Sequence, residues 1–458
     1  MSIKLRRITE SIPGPNSVSL HKNLCELEAP NLTLNDSELS IVWNETKGTR
    51  VFDADGNEYI DFSSGLNVAN VGHTNPYVIQ AAKEQLDKQL QGMGDFHANT
   101  RKVEFLNKLA EIVPINNPRF ITAVNGSDAV DAALKTATLY TGKSNFISFY
   151  GGYHGMGAKS LEVTARHHFR KPFTKELPKT TTFVPYPYCY RCPFSKKSDN
   201  CHNDCIAFLR QTIENTASGS DDIAAVIIES YQGRGGVVSA PVEFMKELRE
   251  ICTKNGILLI VDEILSGFGR TGKWFGFEYA GIEPDIITIG KGVSSGYPIS
   301  ACIAKNEIME GAWGKFEGES IHTATFQGNP LGCAIANASI EYMVEHNLIE
   351  QSMSNGEYFK NSLKKRLKNH PNIGDIRGAG LMIGLEFVQD KKSKKPDPEL
   401  CWEVMRKSLA KGLLLLNGGH DVNVLCLTPP LIINREEIDF CVNTIAEVLN
   451  EITASNVL

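Results

Sequence analysis

A lysine set between two glycines at the end of an apolar run can do covalent chemistry, and Lys291 stands in that setting, in Asp285-Ile286-Ile287-Thr288-Ile289-Gly290-Lys291-Gly292. In a crevice near other cations its amine loses a proton more easily and attacks an aldehyde, which is the chemistry of an internal aldimine. Solvating the end of a sheet is the plainer use of the same residue. Asp262 and Glu263 close a second apolar run. Burying a carboxylate is costly without a cation or donors, so Asp262 calls for a positive partner, either a protonated pyridine-type nitrogen or an ordinary Lys or Arg. Asn125-Gly126-Ser127-Asp128 follows a third apolar run. Free backbone N–H groups at a helix start, with a glycine and a serine hydroxyl beside them, cradle an anion such as phosphate or simply cap the helix. Gly151-Gly152-Tyr153-His154-Gly155 follows a fourth. Its glycines let a ring project and stack on a flat conjugated group, or serve only the loop.

These residues need strands to carry them to one place. The runs at 120–124, 145–150, 223–229, 257–263 and 285–289 alternate with helix-like stretches. That alternation predicts an α/β fold with a mostly parallel central sheet covered by helices. Ligands of open α/β sheets sit at the carboxyl ends of the strands, where all four motifs lie. Residues 46–62 read as strand, turn, strand, and residues 334–345 and 355–369 as amphipathic helices. We therefore expect a large domain over 71–330, with a Cys-rich insert at about 186–206, and a smaller α+β domain built from 1–70 and 331–458. Gly267-Phe268-Gly269-Arg270-Thr271-Gly272 matches the dinucleotide fingerprint literally. It neither follows a strand directly nor opens a helix, so NAD is not expected.

The chain has 458 residues, 42% hydrophobic and 22% charged, enough for a large core. A net charge of −6 gives no broad positive field, so neither nucleic acid nor an anionic membrane is an expected partner; a small molecule is. No apolar run approaches the ~18 residues of a membrane span, and the basic N-terminus leads into prolines rather than a signal-like apolar stretch. Eleven scattered cysteines read as reduced thiols of a cytoplasmic protein.

Taken in order, the segments from about Gly48 to Ile445 resemble the class III aminotransferases, the pyridoxal-phosphate family that includes the 4-aminobutyrate and ornithine enzymes. The likeness rests on Asp55-Gly56-Asn57-Glu58-Tyr59-Ile60-Asp61-Phe62, Gly126-Ser127, Gly152-Tyr153-His154-Gly155, Asp262-Glu263, Gly267 to Gly272, Gly290-Lys291-Gly292, Thr325-Phe326-Gln327-Gly328-Asn329-Pro330 and Thr428-Pro429-Pro430-Leu431. It implies the type I pyridoxal-phosphate fold, pyridoxal 5′-phosphate as cofactor, and a homodimer with shared active sites. An amino donor and a 2-oxo acid would be the substrates. Lys291 would form the Schiff base and shuttle the proton, and Asp262 would keep the ring nitrogen protonated. Tyr153 and Ile264 would cover the two ring faces, with His154 and Glu229 beside them. Gly126 and Ser127 would hold the phosphate, and Thr325 would reach the phosphate of the neighbouring subunit.

The chain departs from the family at substrate-facing positions. The usual Glu-Pro-Val-Gln-Gly-Glu-Gly-Gly is here Glu229-Ser230-Tyr231-Gln232-Gly233-Arg234-Gly235-Gly236, and the arginine expected before Pro-Pro-Leu is Cys426. Arg234 is then a candidate for gripping a substrate carboxylate, with Leu66 as a second substrate-pocket candidate. Met156 replaces the arginine of the 4-aminobutyrate enzymes, and Leu265 the glutamine that contacts the cofactor's phenolic oxygen. The insert carries Cys189, Cys192, Cys201 and Cys205. Their spacing approaches a zinc knuckle, but disulfides or reduced structural thiols fit it too. A racemase or epimerase using the same lysine is the nearest rival to an aminotransferase. A non-catalytic scaffold would explain Leu265 and Cys426 but not the retention of Lys291 and Asp262.

Overall fold

The computed structural model describes residues 3–195, 202–315 and 317–455. Its largest sheet has seven strands in the order Pro118–Ala123, Ser300–Lys305, Ile286–Ile289, Leu258–Asp262, Ile223–Ile228, Asn145–Phe149 and Thr181–Val184. Every pairing is parallel except those of Ser300–Lys305, which runs antiparallel to both neighbours. The two central strands, Ile-Ala-Ala-Val-Ile-Ile and Leu-Leu-Ile-Val-Asp, are buried throughout, as strands covered on both faces must be. A register pairing Asp262 with Thr288 and Val261 with Ile228 brings the carboxyl ends of these strands level.

Helix Gly126–Thr141 covers one face. Its inward side is mostly alanine (Ala129, Ala132, Ala133 and Ala137), so the helix lies close to the sheet. Asn125 caps it by accepting the Asp128 N–H, and Gly142 at φ 69° ends it. On the other face Val242–Lys254 buries Phe244, Met245, Leu248, Ile251 and Cys252. Each such side chain contributes about 1.5–3 kcal/mol of burial.

Both ends of the chain meet in a second sheet. Trp43–Lys47, Arg50–Asp53 and Glu58–Asp61 form an antiparallel meander, and Leu413–Leu414 adds parallel to Glu58–Asp61. The expected strand, turn, strand at 46–62 is thus three strands. A third sheet joins Ile373–Ala379, Met382–Phe387, Val424–Leu427 and Asn417–Gly418, all antiparallel. One apolar cluster runs through all three sheets, from Phe62 through Phe149 to Leu385 and Leu427. The expected helix at 334–345 lies within Pro330–Glu345, and the one at 355–369 overlaps Leu348–Leu367, which begins earlier and ends two residues sooner. No described helix is long and apolar enough to cross a membrane.

Gly267 to Gly272 forms turns rather than a strand-to-helix junction. Arg270 at its centre is fully buried and pins three parts of the chain. Its Nη1 donates to the carbonyls of Leu381 at 3.0 Å and Pro429 at 2.5 Å, and its Nη2 to Asn70 Oδ1 at 2.6 Å. The dinucleotide-like motif is structural.

Candidate active site

Five carboxyl-terminal strand ends deliver their following residues to one edge of the large sheet, around a cavity of about 230 Å³. Lys291 lies just past Ile286–Ile289 at φ 44°, a left-handed conformation that costs a non-glycine residue on the order of 1–3 kcal/mol. The surroundings enforce it. A Cβ at Gly292 would stand 2.2 Å from Asn70 Nδ2, so the chain here turns against a fixed wall. Burial pulls the Lys291 amine down to about 8; Asp262 and Glu229 oppose the shift, while Arg234 and Arg270 add to it.

Asp262, 4% exposed, ends its strand with three donors on its carboxylate. His154 Nδ1–H donates to Oδ2 at 2.7 Å, while Thr288 Oγ1 at 3.0 Å and the Ile264 N–H at 3.1 Å reach Oδ1. A carboxylate accepts about four hydrogen bonds, so one place remains on the cavity side, suited to a protonated ring nitrogen. His154 is itself held, its N–H donating to Thr164 Oγ1 at 2.9 Å. Glu229 accepts the N–H groups of Tyr153 at 2.9 Å and Gly233 at 3.0 Å, and burial pushes its carboxyl up to about 7. The residue that follows Asp262, Glu263, faces away from the cavity. It takes donors from Ser230, Ser266, Gly276 and Phe277 and is a structural carboxyl, likewise pushed up to about 7 by burial.

The helix start at Gly126 supplies an anion cradle with no room for side chains. A Cβ at Gly126 would stand 3.0 Å from Ile264 Cδ1, and one at Gly155 2.2 Å from Ser127 Oγ. Ser127 Oγ also accepts the Met156 N–H at 3.1 Å. Tyr153 and Ile264 both line the cavity, and the Tyr153 ring packs edge-on against Phe169. A buried amine with a lowered pKa, a carboxylate with an open acceptor place, the side chains of Tyr153 and Ile264 and a Gly-Ser helix start therefore share one space.

The profile of the aminotransferase class-III family matches residues 33–449. The chain belongs to the class III aminotransferases. These are pyridoxal-phosphate enzymes, and the cavity's residues fit that group by the cradle and acceptor just described. Among relatives, the diaminobutyrate–2-oxoglutarate aminotransferase of Haemophilus influenzae is 36% identical over 411 residues, 88% of each chain. The leucine/methionine racemase of Thermococcus litoralis is also 36% identical, over 87% of this chain and 88% of its own. Among solved structures, a Bacillus anthracis aminotransferase superposes with a TM-score of 0.88 at 33% identity, covering 95% of this chain and 99% of its own. The omega transaminase of Pseudomonas jessenii, solved in complex with PMP, gives 0.88 at 28% identity over 94% and 98%. The class III fold is thus the type I pyridoxal-phosphate architecture.

The structure brings together Lys291, Asp262, Gly126, Ser127, Tyr153, His154, Glu229, Ile264 and Arg234. Leu66 lies outside the cavity lining, 60% exposed at φ 67°. Its neighbour Asn67 instead borders a small void shared with Arg234, Leu265 and Cys426. Thr325 sits on an exposed turn, its carbonyl accepting from Gln91 Nε2 at 2.6 Å. Cys201 lies outside the described residues. Cys205 is buried, Cys192 half-buried and Cys189 exposed. Among the described residues no cluster of three His, Cys, Asp or Glu side chains could hold a metal.

Two neighbours of the site carry no mark in the sequence. Thr288 orients Asp262 from the adjacent strand, and only the cross-strand register reveals it. Arg166 donates to the carbonyls of Arg234 at 3.1 Å and Gly419 at 3.2 Å. It stands in no motif, and nothing in its local sequence marks it.

Proposed function

We propose that the chain is an aminotransferase that moves an amino group from an amine or amino acid to a 2-oxo acid, with Lys291 as the residue that carries the cofactor. The convergence of Lys291, Asp262 and the Gly126–Ser127 cradle on one cavity carries this reading. When bound, pyridoxal 5′-phosphate supplies the electron sink for cleavage at the substrate's α-carbon. Lys291 Nζ would hold the cofactor, and its free amine would act as the base that takes the proton from the substrate's α-carbon. An amine pulled down to about 8 is a usable base near neutral pH. Asp262 keeps the proton on the ring nitrogen, with His154 and Thr288 holding its orientation. Tyr153 and Ile264 confine the ring, and Glu229 fixes the Tyr153 loop. Arg234 grips the substrate carboxylate in place of the missing arginine at Cys426.

The same reading makes the protein a cytoplasmic homodimer in which the exposed Thr325 serves the partner's phosphate. It also places residues 71–330 in a cofactor-binding domain flanked by a smaller one from 1–70 and 331–458.

Two expected results follow from the geometry. Gly155 has φ 123° and no space for a Cβ, so Gly155→Ala displaces Ser127 and weakens retention of pyridoxal phosphate roughly tenfold or more, read by titrating apo protein with cofactor. Only the neutral amine of Lys291 attacks the cofactor's aldehyde. The rate of cofactor loading therefore rises with pH up to about 8 and levels off above it. A rate still climbing toward pH 10.5, the ordinary lysine value, contradicts the buried-amine assignment.

A racemase or epimerase is the second reading. The Thermococcus litoralis relative and the isoleucine 2-epimerase of Lentilactobacillus buchneri, 34% identical over 87% of this chain, favour it. One experiment separates the two. Amino acids and diamines are added to the loaded enzyme without any 2-oxo acid while its visible absorption and the amino acid's chirality are followed. Stoichiometric conversion of the cofactor to its amine form supports transamination. Unchanged absorption with loss of chirality overturns it in favour of racemisation.

A further inference from the structure

The Cys-rich insert reaches the substrate side of the cavity through a chain of charged side chains. We propose that Tyr188 and Arg191 are positioning residues that, acting through Glu386 and Arg377, fix the turn carrying Arg234. The proposal rests on the reading of Arg234 as the carboxylate-binding residue.

Glu386 lies on the strand Met382–Phe387 and is fully buried, so its carboxylate requires donors. Three side chains provide them. The Tyr188 hydroxyl donates to Oε2, Arg191 Nε to Oε1 at 2.5 Å, and Arg377 Nη1 to Oε2 at 2.6 Å. Together they hold Glu386 below the usual carboxylate range although burial pushes the other way. The Arg377 guanidinium also lies 5.0 Å from the centre of the Tyr188 ring.

The other edge of Arg377 leaves the sheet. Its Nη2 donates to the Gly236 carbonyl at 2.5 Å, and its Nε to the carbonyls of Gly236 and Val237, both at 3.0 Å. The Gly236 N–H closes the turn on the Gly233 carbonyl at 3.0 Å, with Arg234 between them. Gly236 has φ 103°, and a Cβ there would stand 3.2 Å from Arg377 Nη2, so the close approach needs a glycine. Arg166 holds the same turn from the other side through the Arg234 carbonyl. An insert serving stability alone needs only its bond to Glu386. The second edge of Arg377 spends three hydrogen bonds on the backbone that aims Arg234. Arg191 is itself seated by donating from Nη1 to the Lys394 carbonyl at 2.5 Å, in the loop that follows the strand Met382–Phe387.

The test uses full-length, cofactor-loaded Tyr188→Phe, Arg191→Met and Arg191→Lys variants, each alone and combined with Arg234→Ala. KM for 2-oxoglutarate, kcat and cofactor retention are measured. Tyr188→Phe and Arg191→Met are expected to raise KM roughly tenfold, the scale of one lost charged hydrogen bond, with kcat and cofactor retention little changed. Arg191→Lys recovers part of the loss, and neither change adds to Arg234→Ala. If Arg234→Ala raises KM but Tyr188→Phe does not, or the two effects add in full, the positioning role is overturned while the Arg234 reading stands. If Arg234→Ala leaves KM unchanged, the Arg234 reading fails and the positioning role with it. A parallel fall in kcat and cofactor retention marks a purely structural strut and also overturns it.

Discussion

Replacing Lys291 with alanine lowers turnover by about 10⁴-fold, because it removes both the covalent anchor and the general base. The cavity holds no second lysine among the described residues. Among the described residues the other lysine whose amine burial lowers, Lys159, lines a different cavity beside Phe146 and Glu162. The variant keeps its fold, since alanine relieves the left-handed backbone strain at φ 44° no more than lysine does and leaves Gly290 and Gly292 in place. Cofactor then binds only through the phosphate cradle and ring contacts, and is lost on gel filtration. Turnover measured with saturating cofactor checks the first effect. A variant retaining a tenth of wild-type turnover is incompatible with the role given to Lys291.

Asp262→Asn lowers kcat by about 10²–10³-fold, the scale of removing one preorganised electrostatic partner from a buried site. Asparagine fills the same volume but brings no charge, so a proton on the ring nitrogen loses its counter-ion. It also places an amide NH₂ or carbonyl where His154 Nδ1–H now finds a carboxylate at 2.7 Å, which the imidazole meets by changing partner or tautomer. Cofactor retention falls much less than kcat, because Lys291 and the cradle remain. A comparable loss in both contradicts an electronic role for Asp262 and assigns it to binding alone.

The sequence made the central strands and their ends legible because residues 223–229, 257–263 and 285–289 are mostly apolar, β-branched runs followed by or ending in polar or glycine residues, the mark of strands buried on both faces. Ser300–Lys305 was not read as a strand. Ser-Ala-Cys-Ile-Ala-Lys has a single β-branched residue, and its strand character comes from the neighbours it pairs with. Lys291, Asp262 and Gly126 announced themselves through local motifs. Thr288, Arg166 and Arg377 did not, since each acts across strands or between sheets, by register and backbone contacts that no spacing along the chain encodes. The insert illustrates the same limit. Its cysteines drew attention, whereas its bonds to Glu386 come from Tyr188 and Arg191.

The claim on which everything else depends is that Lys291 carries the cofactor. Reducing the loaded protein with borohydride, digesting it and locating the added mass by mass spectrometry tests that directly. Pyridoxal phosphate fixed on the peptide containing Gly290-Lys291-Gly292 is the expected result. The same mass on another lysine, or on no peptide at all from a fully loaded sample, contradicts it.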